Sequence, residues 1–337
     1  TTAGTTAGTT VANGAALEIQ GTTISIGAET LSLSGTGISN GGALRNISGT
    51  NTYAGAITLA TASRINSDAG TLNLNVASGN AITSTDLGVT FGGAGDITVS
   101  DAIALGTAGV TKDGAGILTY NANNTYTGTT TVNAGRLVVN ANQTNNGDVI
   151  INDTGSIKMS TATTFKSGTN VAVNTGGTWL LDGTSQTVGQ LTGAGIIDQG
   201  WTTAGTDTLT VGSGDVSSTF GGVIREAAVV TSRVIALTKT GSGTLTLTGT
   251  NSHGGTTSVS GGILRISNAS ALGDTTAGTN ITGGTATSRL ELSGGISFAA
   301  EGLTLAGRST NAMHLSNLSG NNTWNGNIST DAGGNIY

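Results

Sequence analysis

TKDGAGILTYNANNTYTGTTTVNAGRLVV, residues 111–139, and TKTGSGTLTLTGTNSHGGTTSVSGGILRI, residues 238–266, are two versions of one sequence set 127 positions apart. They align without a gap and agree at 13 of 29 positions. Self-similarity on this scale marks an architecture in which one supersecondary unit is used again. Within each copy, apolar residues alternate with Thr, Ser or Asn, as in Leu137 and Val139 or Leu245 and Leu247. Period-two alternation places both apolar side chains on one face of a strand.

The same couplets recur outward from the two copies: Leu17 and Ile19, Leu31 and Leu33, Leu72 and Leu74, Ile97 and Val99, Leu209 and Val211, Leu290 and Leu292, Leu303 and Leu305. Gly, Asn or Asp bounds each of them, as turn chemistry requires. No stretch keeps a helical apolar face for three turns. The chain reads as all-β, with strands too short and turns too dense for a two-sheet sandwich. Gly is 57 of 337 residues and Pro is 0. Long hydrogen-bond ladders exclude Pro because it lacks a donor.

A larger repeat surrounds the first. The block 27–57 returns at 299–328, with Glu29 matching Glu301, Leu31 matching Leu303, Leu44 matching Leu315 and Tyr53 matching Trp324. LEIQG at 17–21 returns as LELSG at 290–294. The composite unit is about 271 residues, so positions 1 and 337 each fall inside one. The expectation is one continuous solenoid over 1–337, a slice of a longer chain, with repeat cores at 110–140 and 237–267. A smaller signature, Asn-[Thr/Ser]-ring-x-Gly, begins at Asn51, Asn124, Asn251 and Asn322, with His253 in one ring position. Its spacings of 73, 127 and 71 approach three, six and three coils of about 20–24 residues.

These readings converge on a right-handed parallel β-helix, the hand following from crossover chirality. Apolar couplets point inward and stack, Thr and Ser point outward, and Gly and Asn turn the corners. About 15 coils at about 4.8 Å each give a rod on the order of 70 Å long, with exposed ladder edges at its ends.

By the residues Lys112, Gly114, Gly116, Leu118, Asn124, Tyr126, Gly128, Val132, Gly135 and Leu137, and by Lys239, Gly241, Gly243, Leu245, Leu247, Asn251, Gly255, Val259, Gly262 and Leu264, the chain resembles the autotransporter-associated β-strand repeat. That repeat is also called the passenger-associated transport repeat. Tyr120 and Ala122 depart from the pattern in the first copy and His253 in the second. Blocks 64–74, 177–200 and 218–224 are similar to the segments that surround such repeats. The resemblance implies a right-handed β-helical passenger exported across the outer membrane of a Gram-negative bacterium. Such passengers are adhesins or surface fibres, and their repeats are thought to assist transport and folding. The implied place is extracellular, at the bacterial cell surface. The implied partners are host, surface or glycan contacts and neighbouring coils or subunits.

Charge and composition narrow the alternatives. Net charge is −6, and the 12 basic residues form no cluster, which argues against nucleic acid. No apolar run reaches the roughly 18 residues that would span a bilayer. Cys is 0, which suits an exported chain. With no Cys and two isolated His, His253 and His314, no closed zinc set exists, and His253 reads as a packing residue. GGAGDITVSD at 92–101 is close to a calcium-binding nonapeptide, but Asp96 sits one place early and the motif has no tandem copy. It reads as a turn. Arg225 and Glu226 read as a solvated turn pair.

No catalytic, cofactor or metal residue is therefore assigned, and the leading expectation is a non-catalytic structural or adhesive solenoid. Two alternatives remain. One is a β-helical polysaccharide-degrading enzyme using region 179–215, where Asp182, Asp198, Asp207 and Asp215 lie near Trp179 and Trp201 and carboxylates could act as acid and base; the first reading of these residues is turn Asp and buried Trp. The other is a self-assembling filament or sheath subunit.

Overall fold

The computed structural model describes residues 8–144, 147–160, 162–200, 203–226, 233–282, 288–306 and 313–330. Trp201 and residues 307–312 of the returning block lie outside this set. Every ladder among the described residues is parallel, and the one helical element is a short 3-10 turn, Ile38–Asn40. The fold is a parallel β-solenoid. Contacts divide it into two compact units, Thr1–Lys166 and Ser167–Tyr337.

In the first unit the chain visits three rows of strands in turn. One row runs through Leu31, Ile57, Ile82 and Ile103. A second runs through Leu44, Ile65, Phe91, Lys112, Val132 and Ile151. The third stacks Leu72, Ile97, Leu118, Leu137 and Ile157. Members of each row are buried, because alternation sends every second side chain inward. The residue between two inward positions faces out, as Thr98 and Thr119 do in the third row.

Some strands are longer than the couplets suggest. Thr130–Val139 and Val149–Met159 bend round a corner and serve two rows each. Thr130 pairs with Val110 in one row, while Arg136 pairs with Ile117 in the next. Coil length also varies. Leu17 pairs 27 residues on with Leu44, whereas Leu118 pairs 19 on with Leu137. The signature spacing of 73 is consequently not a whole number of coils. Asn51 shares its row with Leu118, three coils later, and Asn124 lies six residues further along the chain.

The second unit repeats the plan. One row runs Gln186, Leu209, Leu237, Thr257, Thr279, Leu303 and Ile328. Another runs Ser218, Leu245, Leu264, Leu290 and Leu315. Asn251 and Asn322 each follow a strand of this latter row, three coils apart, so here the spacing of 71 does equal three coils.

Ion pairs tie coils together from outside. The Arg64 guanidinium reaches over one coil to grip both carboxylate oxygens of Asp113, two coils on, at 2.7 and 2.8 Å. The pair crosses Gly92, where a Cβ would lie 1.9 Å from the guanidinium nitrogen. Arg45 similarly bridges Glu18 and Asp68 on the coils either side of it.

Candidate functional site, the corners of the repeat

The interior is not purely aliphatic. Lys112 and Lys239 occupy inward positions, stacked between Phe91 and Val132 and between Val211 and Val259. They are 3% and 1% exposed. Each ammonium turns to the corner that follows its own strand. Lys112 Nζ donates to the carbonyls of Asp113, Gly114 and Ala134, at 2.8, 2.7 and 3.2 Å. Lys239 Nζ donates to Thr240, Gly241 and Gly261 in the same arrangement. The corner carbonyls turn inward because Gly114 and Gly241 have φ of 76° and 68°, a conformation that costs glycine least. Burial pushes both lysines down to about 8, opposed in part by Asp113 and Asp215 respectively.

The Asn signature has one structural meaning at all four sites. The side-chain oxygen accepts a hydrogen bond from a backbone N–H one coil back. Asn51, Asn124, Asn251 and Asn322 cap the N–H of Ile24, Ile103, Ile224 and Ile296, at 2.6 to 2.9 Å. The asparagine replaces a ladder carbonyl where the chain turns away from its row. The amide nitrogen is then anchored locally: Asn51 Nδ2 on Asn46 Oδ1 and the Ser48 carbonyl, Asn322 Nδ2 on Asn317 Oδ1 and the Ser319 carbonyl. An uncapped buried amide costs about 1–3 kcal/mol. Asn124→Ala and Asn251→Ala are each expected to lose about that much in urea unfolding. Asn280→Ala, on an outward position, should stay within about 0.5 kcal/mol of the parent.

The ring residue works in two ways. Tyr53 Oη and Trp324 Nε1 donate to the carbonyls of Glu29 and Glu301, at 2.7 and 2.9 Å. The signature glycine explains the close approach, since a Cβ on Gly55 or Gly326 would lie 1.6 or 1.7 Å from those same oxygens. In the two longer repeats the ring instead meets a threonine four residues on. Tyr126 Oη lies 2.6 Å from Thr130 Oγ, and His253 Nε2 lies 3.0 Å from Thr257 Oγ. His253 is fully buried, in the packing position that its place in the repeat suggests. His314 is buried as well.

The carboxylates of 182–215 are engaged in structure. Asp207 is 1% exposed and receives Arg233 through Nε and Nη2, with Gly183 N and Gln199 Nε2 as further donors. Asp198 accepts from Gln199 N and from Arg225 Nε, at 2.8 and 2.9 Å. Asp182 is buried at a left-handed turn with φ of 51°, and Asp215 turns at φ of 58° while accepting from Ser242 N at 2.7 Å. Trp179 is fully buried, as the first reading of this region expects, so its ring cannot stack on a sugar as the enzymatic alternative requires. Arg225 is exposed, as a solvated turn residue should be, but it and Glu226 do not pair with each other. Arg225 goes to Asp198, and Glu226 accepts from Ile235 N at 2.7 Å and Gly254 N at 3.0 Å. Burial raises the Glu226 carboxyl, and the two backbone donors oppose this.

Asp96 serves as a cap, accepting from Ile117 N one coil on at 2.8 Å. Among the described residues, no three His, Asp or Glu side chains gather as a metal site.

The model of the passenger-associated-transport-repeat family matches residues 110–139 and 237–266. No curated protein and no solved structure matches the chain. Both matched segments begin in the strand that carries the buried lysine and end with the strand after the glycine corner one coil later, so each holds two successive strands of two rows, Val110 pairing with Thr130 and Leu118 with Leu137 in the first, Leu237 with Thr257 and Leu245 with Leu264 in the second. The chain carries two passenger-associated transport repeats, and repeat and fold together fit an autotransporter passenger-like structural domain.

Proposed function

We propose that this chain is a non-catalytic structural stretch of an autotransporter-like passenger, displayed outside the cell, that holds adhesive contacts at fixed spacing. The observation that carries the reading is the pair of transport repeats built into a solenoid whose polar groups are spent on corners and caps. Lys112, Lys239, the four signature asparagines, Asp198 and Asp207 all bond to the protein itself, which leaves them to hold coils together.

What the chain turns outward is repetitive. One row of the second unit presents Thr187, Thr210, Thr238, Ser258, Asn280, Thr304 and Ser329 in register. Such a row offers a donor and an acceptor about every 4.8 Å, with no charge to select an ionic partner. Weak contacts multiplied along a stiff scaffold give avidity without a pocket.

Antibody raised against the purified chain should label intact cells that express the whole gene, and protease added outside should remove the label. Labelling that appears only after permeabilisation would refute display. For the adhesive part, beads bearing many copies should be retained on a susceptible surface at least 10-fold longer than beads bearing few, the excess vanishing when soluble chain is added.

A further inference from the structure

The two repeats differ at one interior position in a way that matters for acid. Tyr126 and His253 are equivalent, and each ring meets the threonine four residues on. Thr257 Oγ donates its single hydrogen to the Leu272 carbonyl at 3.1 Å, so it must accept from the ring, and His253 Nε2 carries the imidazole hydrogen. Nδ1 is then the bare nitrogen, and it is buried with no hydrogen-bond partner. A proton can enter only at Nδ1, where it would create a cation with no acceptor in a dry interior. The charged groups nearest this turn are Glu226 on the preceding coil, which is held by Gly254 N, and Asp274 on the following one. Glu301 lies beyond Asp274 and is coupled to it. Arg225 is drawn away to Asp198.

We propose that His253 makes the second repeat an acid-operated opening point: on acidification the coil around it loosens, while the first repeat, with Tyr126, holds.

Burial pushes the imidazole down to about 4 from its ordinary 6.5, with Asp274 opposing in part. Above 6.5 the ring is neutral whether the coil is open or closed. Between 6.5 and 4 the open coil takes a proton that the closed coil refuses, so stability falls as pH falls. Neighbouring carboxyls act in the other sense. Burial raises Glu226 and Glu301, so the closed form binds their protons more readily and gains from acid. A tyrosine at 253 leaves these carboxyls in place and removes only the ring's contribution.

The test is hydrogen exchange on the whole chain from pH 7 to pH 4, corrected for intrinsic rates, in peptides covering 245–274 and 118–139. Opening of 245–274 should increase on the order of 100-fold in the parent relative to His253→Tyr, and Tyr126→His should confer the same acid sensitivity on 118–139. Equal pH dependence in the parent and His253→Tyr would overturn the proposal, as would opening of both repeats together. Should either variant not fold, the imidazole titration of the parent decides by itself. A His253 resonance that stays neutral to about pH 4 supports the proposal, and one titrating near 6.5 overturns it.

Discussion

Arg233→Met is expected to lose about 3–5 kcal/mol of stability, among the largest effects of any single substitution outside the glycine corners. Asp207 sits at the inward position paired with Ile235, 1% exposed, and its two oxygens are matched by the guanidinium fork. Without Arg233, Gly183 N and Gln199 Nε2 still reach it, but the charge has no cation in a medium that solvates it poorly. The reverse substitution is milder. Asp207→Leu leaves Arg233, whose side chain is 13% exposed, to find water at the rim. The double variant Arg233→Met with Asp207→Leu should return to within about 1 kcal/mol of the parent, since a packed apolar pair replaces a buried ion pair without loss. Urea unfolding of the four proteins gives the coupling energy directly. A cost below 1 kcal/mol for Arg233→Met would mean that Asp207 is held by its amide donors alone.

The amino-acid pattern made the solenoid readable because its periodicity is local. Leu72 and Leu74, or Leu245 and Leu247, announce a buried face within three residues, and the structure stacks them as that alternation demands. The same rule contained more than its aliphatic members. Val110 and Lys112, Leu237 and Lys239, and Asp207 with Leu209 and Val211 are also period-two sets, and all of these polar residues point inward. A lysine or aspartate in an apolar slot was the available signal for a buried charge. What the pattern could not contain is the partner. Ile24, Ile103, Ile224 and Ile296 stand 27, 21, 27 and 26 residues before their asparagines. A coil lengthens at a corner without disturbing its three rows, so no fixed offset exists to read. Asp198 with Arg225 and Asp207 with Arg233 are hidden for the same reason, each reaching an arginine 27 or 26 positions on.

Lys239→Ala is expected to match or exceed that cost at pH 7, at about 3 kcal/mol or more, with Lys112→Ala close behind. Two losses add. The butyl chain fills the slot between Val211 and Val259, and emptying such a slot costs about 2–5 kcal/mol for side chains of similar size. The ammonium also holds the carbonyls of Thr240, Gly241 and Gly261, and a buried polar group left without its partner costs about 1–3 kcal/mol. Lys239→Met separates the two, because it keeps the volume and removes the donor, and it should cost only the smaller amount. The pH dependence supplies an independent mark. With the folded-state value near 8 against an ordinary 10.5, the folded chain releases the proton first as pH rises. Between 8 and 10.5 the unfolded chain therefore holds more protons than the folded one, so the parent gains stability across that window, and the penalty of burying the charge is fully present below it. Lys239→Met removes one of the two such groups and should keep only the part of the rise that Lys112, also near 8, supplies. Parent and methionine variant would thus diverge above pH 8, with the gap widening as the ammonium discharges. Parallel stability curves from pH 7 to 10.5 would show that water, and not the three corner carbonyls, receives the charge.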